Sequence, residues 1–159
     1  MLQNSDAVAA VSRITPQWIA GFFDGEGTIC AYFSKNQTHI HVSFTQKDPK
    51  ILALISLKYG GGTLSSKKGS SKATCWSLNF GGTSCLPVLY DIKDHAVVKR
   101  RQVELGIEFC RLIGPGGKEI KPGVSSRRLE ICKEVSALNH GAELYQKEVL
   151  PCQTSPTVV

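Results

Sequence analysis

Polar and apolar residues alternate with two different periods along this chain, and the switches between them lay out its elements. Between Thr15 and Gly27 the apolar residues recur every three to four positions, so that Trp18 and Phe22 share one helical face and Ile19 and Phe23 another. Thr15 can cap this helix, and Pro16 suits its first turn, where a missing N–H costs nothing. Gly25 and Gly27 end it. The period then drops to two. In residues 38–46, Ile40, Val42 and Phe44 point one way, and His39, His41, Ser43 and Thr45 the other. Residues 28–35 supply a partner strand through a turn at Asn36 and Gln37. Asp48 and Pro49 open a second helix that runs to Tyr59 and stops at the three glycines 60–62. A second hairpin follows, with strands at 63–68 and 72–80 and a turn at 69–71. In its second strand Thr74, Trp76, Leu78 and Phe80 alternate with Cys75, Ser77 and Asn79. Helical patterns return at 84–92, with a possible kink at Pro87, at 99–113, and at 125–139, the last capped by Ser125 or Ser126 and ended by His140 and Gly141. Residues 1–13 carry no period beyond an Ala/Val cluster and read as a flexible or loosely docked N-terminal arm. Residues 142–159 read as a flexible C-terminal tail.

The order α-β-β-α-β-β-α-α predicts an α+β domain over residues 14–141. Its two hairpins would pair into one four-stranded antiparallel sheet, with helices on one face. The other face would be polar. The first hairpin places Cys30, Tyr32, Ser34, His39, His41 and Ser43 there. The second adds Ser65, Lys67, Cys75, Ser77 and Asn79. A two-stranded ribbon fits the DNA major groove, and a strand of about ten residues is ~33 Å long, close to one helical turn of DNA. Pattern alone favours an ordinary solvated sheet face.

Charge moves the balance only partly. Lys and Arg outnumber Asp and Glu by 19 to 13, a net +6, which favours a polyanionic partner without establishing one. No run of ~18 apolar residues is present, so no membrane partner is expected, and the N-terminus lacks the form of a secretory signal. Six cysteines without C-x-x-C spacing speak for free thiols in a reducing compartment rather than a zinc knuckle. His39 and His41, two apart on one strand face, fit contact to bases or phosphates better than a metal pair. The glycine-rich stretch 114–119 lacks P-loop spacing.

The chemistry is carried by residues 19–27, Ile-Ala-Gly-Phe-Phe-Asp-Gly-Glu-Gly. Ala20, Gly21 and Gly25 are small, and such spacing lets two helix backbones approach closely. Each helical glycine costs ~1 kcal/mol relative to alanine, so a packing gain must offset it. The same helix of a second copy, related by a two-fold axis, supplies that packing with Trp18 at its rim; close packing on the chain's own sheet is the alternative. Glu26 lies just past the negative end of the helix, where a carboxylate is electrostatically misplaced unless a cation joins it. Its carboxylate and the Gly25 carbonyl suit Mg²⁺, with Ca²⁺ or Mn²⁺ as substitutes. Asp24 points elsewhere and reads as structural, capping nearby backbone N–H groups.

Position by position, this segment resembles the LAGLIDADG signature, with Phe for Leu and Ile, Gly for the second Ala and Glu for the second Asp. The resemblance spans roughly residues 14–140. It implies the α-β-β-α-β-β-α homing-endonuclease fold, with a saddle-shaped sheet lying on the major groove of double-stranded DNA. Chains with one motif work as homodimers on long, near-palindromic sites, so a homodimer is expected here. Thr45-Gln46-Lys47 is similar to a T-Q-K-like string whose polar residue organises solvent, which assigns that role to Gln46. Lys50 falls where a basic residue approaches the scissile phosphate. Lys99 to Gln102 matches a K-x-x-Q pattern with a catalytic lysine, so Glu26, Gln46 and Lys99 are the expected catalytic set. Arg100 and Arg101 would grip the DNA backbone, joined by Lys67, Lys68 and Lys72 of the basic hairpin. The implied activity is a metal-dependent double-strand break at an intron or intein insertion site, in an organelle or a prokaryotic cytoplasm. An RNA maturase, or a catalytically silent DNA-binding module on the same scaffold, is the runner-up. An ordinary basic domain is the third reading.

Overall fold

In the computed structural model, which describes residues 4–35, 37–68, 74–114 and 124–140, the segment read as an N-terminal arm contains a helix, α1 (Asn4–Ser12). Its signal is propensity rather than period, since alanine is the strongest helix former and no apolar stripe accompanies it. Ser12 donates to the Ala9 carbonyl at 2.8 Å. The Ile14 side chain is buried, which ties the end of this segment to the core.

Helix α2 (Pro16–Glu26) starts as the sequence requires, with the Thr15 hydroxyl accepting the Trp18 N–H at 3.2 Å and Pro16 in the first turn. It runs straight into β1 (Gly27–Ser34), which pairs antiparallel with β2 (Gln37–Gln46) from Gly27 opposite Phe44 to Ser34 opposite Gln37. Gln37, expected in the turn, is therefore already in the strand, and the tight reversal is taken by Lys35 with φ near 50°. Asp48 caps α3 (Pro49–Tyr59) by accepting the Lys50 N–H at 2.9 Å. Gly60 closes this helix in the left-handed conformation, φ 66°, which glycine adopts without a Cβ penalty. Helix α1 lies against α3.

Strands β3 (Thr63–Lys68) and β4 (Thr74–Gly81) form the second hairpin. A 3-10 turn at Gly82–Cys85 leads into α4 (Leu86–Ile92). Pro87 sits in the first turn of α4, where it starts the helix rather than kinking it. Helices α5 (Arg100–Arg111) and α6 (Val124–His140) complete the described residues; Ser125 and Ser126, expected to cap α6, lie inside it. The strand order is β1-β2-β4-β3, antiparallel throughout, so the two hairpins join through β2 and β4 as anticipated. The architecture is α+β.

The helical layer covers one face of this sheet. Ile29, Val42, Phe44, Leu78 and Phe80 point into it and are at most 1% exposed. The Phe23 ring of α2 meets Phe44 edge-on at 5.6 Å, and Tyr59 of α3 meets Phe80 at 6.0 Å. Each aromatic buried in this way contributes roughly 1.5–3 kcal/mol. Helix α6 lies along β1. Asn139 donates to the Ile29 carbonyl at 2.8 Å, and the largely buried Arg128 donates to the Thr38 carbonyl at 2.9 Å while stacking over Phe109.

An ion network ties α6 to α5. Arg127 donates to Glu108 at 2.6 and 3.0 Å, to Glu130 at 3.1 Å and to Glu134 at 3.0 Å; Arg101 joins through Glu134 at 3.0 Å. The hydrogen bonds from Arg127 hold the Glu108 carboxyl below its ordinary value. A folded-state pKa below the unfolded one stabilises the fold above the unfolded pKa, and that stabilisation is lost as pH falls through the folded one. Arg127→Met should therefore lower Tm most near neutral pH. The gap from wild type should close as pH falls through the folded-state pKa of Glu108, which lies below the ordinary carboxyl value. A gap independent of pH in a thermal melt series would count against this network.

Candidate functional site

Helix α2 divides its two sides sharply. Ile19, Ala20 and Phe23 are fully buried beneath the chain's own layers. Gly21 and Gly25 face outward, and a Cβ built on either would meet nothing within 4 Å. Trp18, 40% exposed, borders them and stacks on Phe22 at 5.1 Å, which stacks in turn on Phe44 at 5.9 Å. Two of the small residues thus serve an outward stripe. Ala20, expected on the same stripe, does not: one residue before Gly21 is a 100° turn, enough to carry it into the core.

The C-terminal end of α2 is where the sequence-predicted chemistry converges. Glu26 is the last helical residue rather than the first beyond it, and it is exposed. Lys99, from the start of α5, reaches across so that its Nζ donates to the Asp24 carbonyl at 2.7 Å and the Phe23 carbonyl at 3.0 Å. Desolvation by this packing pulls the Lys99 ammonium below its ordinary pKa, while the charges of Asp24 and Glu26 oppose the shift. Asp24 caps backbone N–H groups as the sequence suggested. Its carboxylate accepts from Val97 at 2.8 Å, Val98 at 3.2 Å and Lys99 at 3.0 Å. Gln46 ends β2, two residues beyond Phe44, which pairs with Gly27; its side-chain oxygen accepts the Lys47 N–H at 2.7 Å. Lys50 stands exposed in the first turn of α3.

Whether this end could hold a hard cation turns on its donors. Among the described residues no group of three or more His, Cys, Asp or Glu is placed to bind a metal. One chain offers the exposed Glu26 carboxylate and the nearby backbone carbonyls, which are oxygen donors of the right kind but too few for the six or more that Mg²⁺ or Ca²⁺ takes. The set fits a divalent ion as half of a site.

The open face of the sheet carries the residues read from the strand alternation. Cys30 pairs with His41 and Tyr32 with His39, while Ser43 pairs with Asn79, Ser65 with Ser77, and Lys67 with Cys75. Tyr32 stacks on His39 at 5.3 Å and meets His41 edge-on at 5.8 Å. The His39 ring lies 3.4 Å from the Ser34 carbonyl. Burial raises the pKa of the Cys30 thiol, which keeps it protonated. Thr45 shares this register, as its alternation indicated; Thr28 and Thr63 share it too and were not singled out from sequence, although the same alternation marks them.

Some expected contacts stand differently. Ser77 is only 8% exposed and is engaged by the Ser43 hydroxyl at 3.0 Å and Asn79 at 3.4 Å, so it orders the face rather than presenting itself. Lys68 pairs with Thr74, on the register parity of Leu64 and Leu78 rather than that of Ser65 and Ser77. Lys72 lies outside the described residues. Arg101 turns to Glu134 and Glu104, and Arg100 to Glu104 at 3.7 Å with its side chain 66% exposed. Sequence reasoning missed Val97 and Val98, 81% and 75% exposed beside the end of α2. Two adjacent apolar residues in a short connection carry no periodic signal.

No protein-family model matches the sequence, and no curated protein is found as a relative. Solved structures do match. The homing endonuclease I-CvuI, in complex with the I-CreI target in the presence of 2 mM Mg with its DNA not cleaved, aligns with a TM-score of 0.65 at 20% identity, over 85% of this chain and 85% of that one. The archaeal intron-encoded homing endonuclease I-Vdi141I, complexed with DNA, aligns at 0.62 and 20% identity over 83% and 94%. The LAGLIDADG homing endonuclease I-GzeII, in complex with its DNA target, aligns at 0.60 and 13% identity over 89% of this chain and 52% of that one. The chain has the fold of the LAGLIDADG homing endonucleases.

The junction of α2 and β1 has one strict steric requirement. A Cβ on Gly27 would fall onto the Phe23 ring, which is fully buried. Gly27→Ala is expected to destabilise the chain by about 1–3 kcal/mol, measured by denaturant unfolding, because the ring has no free volume to retreat into. Gly21→Ala meets open space and should not share that loss.

Proposed function

We propose that the chain is a single-motif LAGLIDADG homing endonuclease that cleaves double-stranded DNA as a homodimer. The observation that carries this reading is the outward stripe of Gly21 and Gly25 on α2, ending in an exposed Glu26 with Lys99 packed behind it. Glycine costs helix stability, and here its own chain gives nothing back, since no atom occupies the space beside either residue. A second α2 related by a two-fold axis recovers the loss by backbone-to-backbone packing. Trp18 and the exposed Val97 and Val98 extend the apolar surface that such a contact covers. The alignment supports the same reading, because this chain aligns over 85% of the I-CvuI chain and 94% of the I-Vdi141I chain but only about half of I-GzeII.

Assembly would bring two Glu26 carboxylates and two Gly25 carbonyls to the dyad, completing an oxygen set that one chain only half supplies. Mg²⁺ held there, with Ca²⁺ or Mn²⁺ as substitutes, would stabilise charge on the scissile phosphate and make water a stronger nucleophile. Lys99, fixed on the α2 carbonyls, offers a positive charge beside the reacting phosphate. Gln46 orders solvent at the end of β2. The open sheet face, rich in hydroxyls, imidazoles and Tyr32, meets base edges in the major groove, while Lys50 and Arg100 contact phosphates. Intron or intein origin follows the same resemblance.

Two variants test the parts separately. Glu26→Gln should lower target-plasmid cleavage by at least about 100-fold while leaving DNA retention within a few-fold; equal cutting by the variant would remove Glu26 from the mechanism. Gly21→Leu should keep its helical circular dichroism, because the side chain meets open space, yet sediment as a monomer and lose double-strand cutting. A dimer that survives this change would place the subunit contact elsewhere.

A further inference from the structure

The charges at the junction of α2 and α5 are crossed. Asp24 sits in the last turn of α2, where the helix dipole disfavours an anion. Lys99 sits at the N-cap position of α5, where the dipole disfavours a cation. Each is misplaced for its own helix and well placed for the other's. The start of α5 makes this plainer: an N-cap is normally a Ser, Thr, Asp or Asn whose side chain accepts from its own helix, and the side chain of Lys99 can accept nothing. Asp24, seventy-five positions earlier, binds the start of the helix instead: it accepts the N–H of Lys99 at 3.0 Å and those of Val97 and Val98, just ahead of it, at 2.8 and 3.2 Å. The backbone of Lys99 is thereby clamped to α2, and its side chain returns to the carbonyls of Phe23 and Asp24, with its ammonium 5.6 Å from the centre of the Phe23 ring.

We propose that Asp24 is a positioning residue for Lys99: it holds the start of α5 in place of a local cap, so that a lysine can stand at that point with its ammonium held against the end of α2, beside Glu26. A simple capping role would need no lysine there, and a simple lysine clamp would need no remote carboxylate. The inference rests on the nuclease reading for its consequence in cleavage, and on geometry alone for the position of the side chain.

Asp24→Asn keeps one acceptor oxygen but introduces an amide donor facing three N–H groups. It should lower the single-turnover cleavage rate by about 10–100-fold, the scale of a small misplacement at a reacting centre. DNA affinity measured in Ca²⁺ should stay within a few-fold. Lys99→Ala should lose a comparable factor, and the double variant should cleave no more slowly than Lys99→Ala alone, because Asp24 acts through that side chain. Losses that multiply in the double variant, or an unchanged rate in Asp24→Asn, overturn the proposal. A second readout is independent of cleavage: acetylation of lysines by an N-hydroxysuccinimide ester, followed by peptide mass spectrometry. Lys99 should label at least about tenfold more slowly than exposed Lys50 in wild type, and the protection should largely vanish in Asp24→Asn. Labelling of Lys99 unaffected by the change refutes the proposal even if no DNA is cut, whereas a wild type that cuts no DNA but shows the labelling contrast refutes the nuclease reading alone. Should Asp24→Asn fail to fold, Asp24→Glu, which keeps the charge but displaces it by a methylene, carries the same labelling comparison.

Discussion

The α2–α5 junction is the constraint on which the rest of the molecule depends. Two charges that would weaken their own helices become favourable only when the end of one helix meets the start of the other. The contact closes a loop of seventy-five residues that contains the entire sheet. Anchoring α5 there sets the plane on which α4, α5 and the sheet pack, and Gly106 of α5 lies close enough to Leu89 and Ile29 that even a methyl group would press on them. The same contact leaves Glu26 as the one free acid at the end of α2, because Asp24 is already committed to backbone N–H groups.

Helix α2 serves two environments with eleven residues. Its inner side, Ile19, Ala20 and Phe23, is as buried as any part of the core; its outer side is bare backbone at Gly21 and Gly25. Trp18 and Phe22 form a ladder from the surface down to Phe44, so the exposed rim is rigidly seated on the sheet. A surface of this kind, stiff and flat where the glycines lie, is suited to close approach by another helix.

The sheet divides in a similar way. The helical layer takes one face, and α6 is bonded to the edge strand β1 through Asn139 and to its neighbour β2 through Arg128. The other face remains open but is not loose: Ser43, Ser77 and Asn79 are joined by hydrogen bonds, and Tyr32 is flanked by two imidazoles. A preorganised polar face spends little entropy on ordering when a polar partner arrives. Arg101, by contrast, takes part in the α5–α6 ion network.

What the sequence determined by itself was whatever local periodicity and local caps control. The alternation in β1, β2 and β4, the Thr15, Asp48 and Gly60 boundaries, and the pairing of hairpins into one sheet were legible because side-chain period and cap chemistry act over a few residues. Glu26 was a candidate from its place at the negative end of a helix, whereas Gln46 and Lys99 were candidates only through two short strings that the resemblance made meaningful. Asp24 as a backbone cap could be named, but not its partners, since those lie in residues 97–99. Tertiary structure alone decided which small residues of α2 face out, because Ala20 and Gly21 differ by a single 100° step. It also decided that Ser77 is sheltered, that Arg101 is engaged, and that Val97 and Val98 stand exposed beside the site. These outcomes depend on contacts between segments distant in the chain, and such contacts leave no periodic trace in either one.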